Sequence, residues 1–347
     1  MKQFVIAALF WLGFVMTSQA DAQSVSYEVL EFSDLKGWKN DDHAAALEVY
    51  LNTCRDMKDP DWATVCKVAK EQTSAKTFFE LFFRPVLIQD GDPMLFTGYF
   101  EPELRGSLRR SSTYRYPLYK KPPEVRNGTQ WLSRADIETS GVLSGRGLEI
   151  AWIDDPVDVF FLQIQGSGRV KLPDGSYIRV GYGGKNGHNY KSVGQELVRR
   201  GVYEIHQVSA QVIRNWVKRN PAAGAELLRH NPSYVFFREV SKVPADRGPL
   251  GAMNRSITTL RSIAVDPKYT PLGAPVWIEK GGSTPMRRLM IAQDTGSAIK
   301  GTQRADIFYG TGDYAGRRAG ETRDPGRMVV LMPIQKAYAL AFEGQEG

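Results

Sequence analysis

Two aspartates that lie twelve residues apart are the side chains of this sequence best placed to do acid–base chemistry. Asp294 comes after the apolar residues 289–292, and Asp306 directly precedes the apolar residues 307–309. Because burial against apolar residues raises the pKa of a carboxyl group, each aspartate is a candidate general acid. The alternative, and the commoner role of a single aspartate, is to cap a turn and pair with an arginine.

Asp266 is a third acid of the same kind, since it follows the apolar residues 263–265. The Asp-Thr-Gly sequence at 294–296 is also that of aspartic proteases, which need two such aspartates sharing one proton. No second Asp-Thr-Gly or Asp-Ser-Gly occurs in the 347 residues. A homodimeric protease with one motif would be a far shorter chain, so the sequence disfavours a protease.

Metal and nucleophile chemistry lack the residue patterns that they require. Two cysteines and four scattered histidines give no zinc-type spacing, and there is no His-Glu-x-x-His. The glycine-rich segment 181–188 lacks the Ser or Thr that a P-loop places after its lysine. The Gly-Ser-Gly at 166–168 is not a nucleophile elbow. We therefore predict no metal and no cofactor.

Several polar and aromatic residues near turns are candidate sugar contacts. The segment 163–168, Gln-Ile-Gln-Gly-Ser-Gly, predicts a strand that runs into a tight turn. Gln165 and the amides of this turn could hydrogen-bond hydroxyl or N-acetyl groups, and the alternative is a β-turn without a ligand. Some aromatic side chains could stack on sugar faces, although most are expected in the core: Tyr99, Phe100, Trp152, Tyr182 and Trp277.

The sequence pattern predicts helices first and mainly short strands afterwards. Residues 41–84 have helical patterning, with Asp41 or Asp42 and Ser74 as candidate caps. Further helices are expected at 192–200, 210–219 and 221–229. Strands are expected at 95–100, 160–165, 176–180, 234–238, 261–265, 275–278, 288–292, 305–308 and 328–332, with a hairpin turn at 173–175. Many short strands at this spacing indicate a small barrel.

The N-terminus and the overall charge bear on location and partners. A basic residue, an apolar run to Met16 and small residues up to Ala22 form a signal-peptide pattern. We expect export to the periplasm without a lipid anchor, and a disulfide between Cys54 and Cys66 in that oxidising compartment. The net charge of +7 suits an anionic polymer such as cell-wall glycan. Scattered basic residues without a recognition motif exclude nucleic acid as the partner.

Taken together, these segments resemble the membrane-bound lytic murein transglycosylase A (MltA) family over about residues 94–333. The similarity rests on several motifs that occur in order along the chain. They are Thr-Gly-Tyr-Phe-Glu-Pro at 97–102, Phe-Leu-Gln-Ile-Gln-Gly-Ser-Gly at 161–168, Tyr-Gly-Gly-Lys-Asn-Gly-His at 182–188, Asn-Pro-Ser-Tyr-Val-Phe-Phe at 231–237, Ser-Ile-Ala-Val-Asp-Pro at 262–267 and Gln-Asp-Thr-Gly-Ser-Ala-Ile-Lys-Gly at 293–301 followed by Ala-Asp-Ile-Phe at 305–308.

The resemblance implies a mainly β fold with helices, of the α+β class. A double-psi β-barrel with three aspartates, the 3D domain, would comprise residues 86–104 and 241–333. A second, largely β domain at 105–240 would be inserted into it, with a glycan groove between the two. Residues 1–22 would be the signal peptide, 23–85 an N-terminal helical region and 334–347 a loose tail.

By the same resemblance the general acid is the aspartate before Ile-Phe, which is Asp306, with Asp294 and Asp266 as supporting acids. The implied activity is that of a peptidoglycan lytic exotransglycosylase, which cuts the β-1,4 bond from N-acetylmuramic acid to N-acetylglucosamine and closes a 1,6-anhydro ring. The candidate substrate contacts are Tyr99, Gln165, Gly166, Ser167, Gly168, Tyr182 and Lys300.

The expected partners are peptidoglycan glycan strands and cell-wall enzyme complexes, and the protein is expected to be a monomer. The alternative from a different class is a non-catalytic peptidoglycan-binding protein, because a double-psi barrel can bind glycan without cutting it. The complete acid set argues against that alternative.

Overall fold

The computed structural model describes residues 25–241, 243–244 and 247–343, so the predicted signal peptide at 1–22 lies outside the described residues. The helices are α1 (His43–Thr53), α2 (Pro60–Ala69), α3 (Ala75–Phe82), α4 (Arg134–Ser140), α5 (Pro156–Gln165), α6 (Val193–Arg199), α7 (Ala210–Arg219), α8 (Pro221–Arg229), α9 (Gly312–Glu321) and α10 (Ile334–Glu343). In this part of the chain no helix has the length and apolar character needed to cross a bilayer.

The strands form two sheets. They are β1 (Ser26–Val29), β2 (Phe83–Gln89), β3 (Leu95–Glu101), β4 (Glu103–Ser107), β5 (Tyr116–Tyr119), β6 (Glu149–Ile153), β7 (Gly168–Lys171), β8 (Tyr177–Lys185), β9 (Val235–Glu239), β10 (Ser262–Val265), β11 (Pro275–Lys280), β12 (Met286–Asp294), β13 (Arg304–Thr311), β14 (Arg323–Asp324) and β15 (Gly326–Pro333). The predicted α+β class with mainly β architecture is confirmed.

The larger sheet has nine strands in the order β1-β2-β15-β11-β12-β10-β13-β3-β14. Most neighbours are antiparallel, but β10 with β12 and β13 with β3 are parallel pairs. A single residue, Pro325, separates β14 from β15, although these strands occupy the ninth and third places in the order. The sheet therefore curves back towards itself, and its closure into a double-psi β-barrel stays a prediction.

The N-terminal helices pack into the same core as this sheet. Asp42 and Ser74 cap α1 and α3 as predicted, by accepting hydrogen bonds from backbone amides one turn later. Large apolar side chains of α3, such as Phe78 and Phe79, are fully buried with Trp277 of β11 in one cluster. In addition, β1 and β2 belong to the larger sheet. Residues 25–89 therefore support the strands that carry the aspartates.

Cys54 and Cys66 are disulfide-bonded in the structure, with their Cα atoms 5.5 Å apart. Cys54 opens a 3-10 helix, Cys54–Asp56, that follows α1, and Cys66 lies in α2. The bond thus ties the short segment between α1 and α2 to α2 itself.

The smaller sheet has six strands in the order β5-β6-β4-β7-β8-β9, and the helices α4 to α8 lie in the same part of the chain. Its first strand along the chain, β4, begins at Glu103, just before the predicted domain boundary at 105. Pro102 alone connects β3 of the larger sheet to β4 of the smaller one. The two sheets are therefore joined tightly at this point.

The strand predicted at 160–165 is wrong, because this segment is the second half of α5. The Asp155 side chain accepts a hydrogen bond from the amide of Val157, and Pro156 occupies the first helical position. Gly166, with φ of 81°, ends the helix in the left-handed conformation. A short apolar run does not by itself separate helix from strand, and these flanking start and stop signals decide it.

The loose tail predicted at 334–347 is also wrong over the residues that the structure describes. Residues Ile334–Glu343 form α10, which packs against β1, β2 and β15. Ala337 is fully buried, and Leu340 packs partly buried against the same core. Two further helices lie where the sequence predicted none: α4, and α9 between β13 and β14.

Candidate active site

The two aspartates that the sequence singled out lie in one row across neighbouring strands. Ala264 of β10 pairs with Asp294 of β12 on one side and with Asp306 of β13 on the other. Asp306 pairs in turn with Thr97 of β3. Paired residues point to the same face of a sheet, and strands are spaced about 4.8 Å apart, so the two aspartates are roughly 10 Å apart along the row. The small side chain of Ala264 leaves room between them.

A bulge produces this alignment. The pairing of β10 with β12 moves from Ile263–Ala292 to Ala264–Asp294, which skips Gln293. Because side chains alternate between faces, a shift of one residue decides on which face an acid lies. Gln293 is fully buried, and its Oε1 accepts a hydrogen bond from Ser262. The bulge therefore buries the glutamine and brings the aspartate into the row.

Asp306 is a partly buried acid that is held by neighbours on two strands. Its Oδ1 accepts a hydrogen bond of 2.6 Å from Thr97 Oγ1, which itself accepts one of 2.9 Å from Arg304 Nη2. Burial raises the pKa of the Asp306 carboxyl, whereas the Thr97 hydrogen bond and the Arg304 charge oppose that rise. The net shift is upward, as a general acid requires.

Asp294 is held mainly by backbone amides and a tyrosine. Its Oδ1 accepts hydrogen bonds from the amides of Ala252 and Thr295, at 3.0 and 2.9 Å. Its Oδ2 accepts a hydrogen bond of 3.0 Å from Tyr99 Oη. Burial raises the pKa of Asp294 to about 6, against the effect of these hydrogen bonds, and the charge of Asp306 adds to the rise. The two carboxyl groups therefore interact electrostatically across the row.

Tyr99 connects the two acids. It lies on β3 two residues after Thr97, and its ring centroid is 5.3 Å from that of Phe308. Burial and the charges of Asp294 and Asp306 raise the pKa of Tyr99 far above its ordinary value. The hydroxyl therefore stays protonated and donates to Asp294. The sequence pointed to Tyr99 as a stacking residue, whereas its position in the structure is that of a hydrogen-bond donor to an acid.

Asp266 lies in a separate hydrogen-bond network, at the end of β10. Its Oδ2 accepts from the amide of Gly301 at 3.1 Å, and its Oδ1 accepts from the amide of Lys268 at 3.2 Å. Lys300 Nζ is 3.7 Å from Oδ1. Asp266 thus fixes the loop 295–303 between β12 and β13, while the Lys300 side chain remains mostly exposed.

The predicted substrate turn at 165–168 packs against the end of β3. The Gln165 side chain accepts a hydrogen bond of 3.3 Å from the amide of Phe100. Gly168 has no room for a Cβ atom beside Leu162 and the backbone of Pro102. Ser167, between Gly166 and Gly168, is partly buried. These residues join the two sheets next to the row of acids, and Gln165 has a backbone partner there.

Tyr182 is exposed on β8, at a rim that leads back to Asp294. The Tyr182 carbonyl accepts a hydrogen bond of 3.3 Å from Arg238 Nε, and Arg238 Nη2 donates to Asn254 Oδ1 at 3.2 Å. Asn254 follows Ala252 by two residues, and the amide of Ala252 reaches Asp294. The Tyr182 side chain is therefore open to a ligand on the side of the smaller sheet.

Glu101 is a site residue that the sequence analysis missed. It is fully buried at the end of β3, where Thr311 Oγ1 donates to its Oε2 at 2.8 Å. Two arginines of the smaller sheet contact it, with Arg169 Nε 3.0 Å from Oε2 and Arg179 Nε 2.8 Å from Oε1. Arg179 Nη2 also donates to the Arg247 carbonyl at 2.7 Å. This buried carboxylate joins the two sheets electrostatically.

Thr97 and Arg304 were missed for a different reason. Each is an ordinary strand residue. Thr97 lies 209 positions before Asp306 in the chain, and Arg304, although close to Asp306 in sequence, is linked to its carboxyl group through Thr97. The available signal was that Thr97 opens the motif Thr-Gly-Tyr-Phe-Glu-Pro. Positions 97, 99 and 101 of this motif are every second residue of one strand, so they point to the same face. Thr97 and Tyr99 contact the two acids, and Glu101 lies at the end of the same strand, where it contacts the smaller sheet.

Partly buried acids with raised pKa values, set where two sheets meet, define the class of an acid–base enzyme. In the part of the chain that the structure describes, no cluster of three His, Cys, Asp or Glu side chains could hold a metal ion. The sequence matches the MltA specific insert domain over residues 95–238 and the 3D domain over residues 261–332.

Known relatives agree with these matches. The membrane-bound lytic murein transglycosylase A of Vibrio cholerae is 33% identical over 267 residues, which is 73% of this chain and 70% of the relative. The Escherichia coli protein of the same name is 37% identical over 246 residues, which is 68% of this chain and 65% of the relative. This chain belongs to the MltA family.

Solved structures show the same fold. A membrane-bound lytic murein transglycosylase from Agrobacterium tumefaciens superposes with a TM-score of 0.80 at 32% identity, covering 91% of this chain and 99% of that one. The E. coli MltA with bound chitohexaose superposes with a TM-score of 0.73 at 30% identity, covering 88% and 94%.

The raised pKa of Asp294 predicts a pH-dependent cost in stability. Its pKa is about 6 in the folded protein and 3.8 ordinarily, so the folded state binds this proton more tightly. Stability is therefore lost as the pH rises from about 4 through 6, by up to on the order of 3 kcal/mol. In urea unfolding, we expect the free energy of unfolding of Asp294→Asn to increase relative to that of the wild type as the pH rises from 4.5 to 7.5. The exposed control Asp313→Asn should show no such pH dependence. A stability difference between Asp294→Asn and the wild type that stays as constant over this range as that of the control would contradict the prediction.

Proposed function

We propose that this protein is a lytic transglycosylase that cleaves the β-1,4 bond between N-acetylmuramic acid and N-acetylglucosamine in peptidoglycan and forms a 1,6-anhydromuramic end. The observation that carries the proposal is Asp306, a partly buried carboxyl group with a raised pKa in the same row as Asp294. The names of the relatives support murein as the substrate. The chitohexaose bound to the E. coli protein supports a glycan ligand.

In the first step, protonated Asp306 donates its proton to the glycosidic oxygen as the bond to C1 of the muramyl residue breaks. Burial favours the neutral acid, so Asp306 holds a proton at a pH where an exposed aspartate would have lost it. The hydroxyl of Thr97, fixed by Arg304, supports the carboxylate that forms. Asp306 can therefore hold its proton before the reaction and release it as the glycosidic bond breaks.

In the second step, the Asp306 carboxylate takes the proton of the muramyl 6-hydroxyl as that oxygen attacks C1. One residue thus acts first as acid and then as base, and no water is consumed. Intramolecular attack has a large effective molarity, about 10⁵ M or more in well-oriented systems, so it outruns attack by water. A hydrolase would instead need a second carboxyl group to activate water or to attack the sugar.

Asp294 supports the reaction by its charge. An ionised Asp294 favours the positive charge that develops at C1 as the glycosidic bond breaks. Tyr99 and the amides of Ala252 and Thr295 hold the Asp294 carboxylate in place. The protonated form of Asp294 would lose this effect.

The glycan strand would lie between the two sheets, over the row of acids. Tyr182 and Lys300 offer exposed side chains on the two sides. Gln165, Gly166, Ser167 and Gly168 form the wall where the sheets join, and Asp266 fixes the loop that carries Lys300. We place this enzyme in the periplasm, as a monomer that acts on glycan strands and within cell-wall enzyme complexes, without cofactor or metal.

The test of the proposal is digestion of purified sacculi in H₂¹⁸O followed by mass spectrometry of the released muropeptides. We expect 1,6-anhydromuramic ends, lighter by one water than a reducing end, without incorporated ¹⁸O. Hydrated ends that carry ¹⁸O would identify a muramidase instead. Binding to sacculi without any released product would identify a glycan-binding protein.

A further inference from the structure

The loop 250–256 is a tight turn that touches Asp294. Leu250 and Ser256 pair across its base, the amide of Gly251 donates to the Arg255 carbonyl at 2.9 Å, and Asn254 adopts the left-handed conformation with φ of 55°. A Cβ atom on Gly251 would come within 2.6 Å of the Gln293 carbonyl oxygen, so the turn lies directly against the end of β12. From this position the amide of Ala252 donates to Asp294 Oδ1 at 3.0 Å.

Two side-chain contacts anchor this loop from opposite sides. Arg255 forms a two-pronged ion pair with Asp56, with Nε–Oδ2 at 2.6 Å and Nη2–Oδ1 at 2.9 Å. Arg238 of β9 donates to Asn254 at 3.2 Å. Asp56 ends the 3-10 helix that begins at the disulfide-bonded Cys54. The N-terminal region and the inserted domain thus each contact the loop through one charged residue.

An open cavity separates part of the loop from the N-terminal region. A cavity of about 510 Å³ lies between them, lined on one side by Met57 and Trp62 and on the other by Ala252, Met253 and Asn254. The Asp56–Arg255 ion pair connects the two sides at this cavity. A second ion pair at the same cavity, Lys336 with Asp59, joins α10 to the N-cap of α2 and does not include the loop.

We propose that Asp56 and Arg255 are positioning residues of the reaction: their ion pair holds the loop 250–256 so that the amide of Ala252 meets the carboxylate of Asp294. This inference rests on the proposed function, in which an ionised Asp294 supports the acid Asp306. It assigns a role in the active site to the disulfide-bonded segment between α1 and α2, which lies outside the strands that carry the acids.

The consequence concerns the protonation of Asp294. The groups that face it are Tyr99 from β3, Asp306 from β13, and the amides of Ala252 and Thr295. The amide of Ala252 stabilises the ionised form, so a loosened loop raises the pKa of Asp294. The acid limb of the kcat–pH profile then moves to higher pH, whereas KM at neutral pH stays close to that of the wild type.

The experiment compares Asp56→Asn, Arg255→Gln and the double swap Asp56→Arg with Arg255→Asp. The matched control is Asp59→Asn, which breaks the other ion pair at the same cavity. Exposed ion pairs contribute little to global stability, so all variants are expected to fold, as checked by melting temperature. Two readouts are taken: hydrogen exchange of the Ala252 amide by NMR without substrate, and the kcat–pH profile on sacculi.

We expect both single variants to exchange the Ala252 amide about two- to fivefold faster and to move the acid limb up by a few tenths of a pH unit. The swap is expected to return both readouts towards wild type, and Asp59→Asn to change neither. Wild-type exchange and an unmoved acid limb in Asp56→Asn would overturn the proposal. A wild type that releases no anhydro product would refute the proposed function. Because amide exchange is measured without substrate, it would still decide whether the ion pair holds the loop.

Discussion

Asp306→Asn is expected to abolish the release of anhydromuropeptides while the protein still folds and binds glycan. Asparagine has nearly the same shape as aspartate, and its carbonyl oxygen can still accept the hydrogen bond from Thr97. It has no proton to give to the glycosidic oxygen. Loss of general acid catalysis costs about 10²–10⁴-fold in rate. The measurement is the initial rate of muropeptide release, with sedimentation of sacculi as the binding assay.

The comparison variants are Asp294→Asn and Asp313→Asn. Asp294 supports the acid without donating the proton, so its substitution should reduce kcat less than that of Asp306. Asp313 is an exposed acid on α9, and its substitution should leave the rate unchanged. Turnover close to wild type by a folded Asp306→Asn protein would show that another group is the acid, and it would remove Asp306 from the mechanism.

The candidate acids could be predicted because the information that marks them is local. Asp294 and Asp306 each adjoin an apolar run, and such runs form buried strands, here β12 and β13. An acid at the end of a buried strand is partly desolvated whichever strands pair with it, so the rise of its pKa follows from the sequence. The apolar flank also singled out Asp266, but its neighbours in the sequence do not reveal that the amide of Gly301, in a different loop, donates to it.

The groups that tune the acids could not be predicted in the same way. Thr97 donates to Asp306 because β3 pairs in parallel with β13, and Asp294 faces the same side because a bulge skips Gln293. Both features depend on strand order and register, which are tertiary properties. The mistaken strand at 160–165 has a simpler origin. Its apolar run fits either element, and the Asp-Pro before it and the Gly after it were the deciding signals.

The second large effect is expected at Glu101, the buried carboxylate that joins the two sheets. Its side chain is fully buried and contacts Arg169 and Arg179 of the smaller sheet, besides Thr311 of β13. Removing one partner of a buried ion pair leaves the other charges without compensation, which typically costs about 3–5 kcal/mol. We therefore expect Glu101→Ala to lower the free energy of unfolding by that amount in urea titrations at pH 7.

Glu103→Ala is the matched control, because Glu103 is an exposed acid two residues further along the chain that accepts one hydrogen bond from Tyr177. Its loss should cost less than about 1 kcal/mol. Glu101→Gln keeps an acceptor for Thr311 but removes the charge, so its stability should lie between those of Glu101→Ala and the wild type. If the charge joins the sheets next to the substrate, Glu101→Gln should also raise KM for glycan more than it lowers kcat, since it touches neither acid. Equal unfolding free energies for Glu101→Ala and Glu103→Ala would mean that packing and Pro102 alone hold the two sheets together.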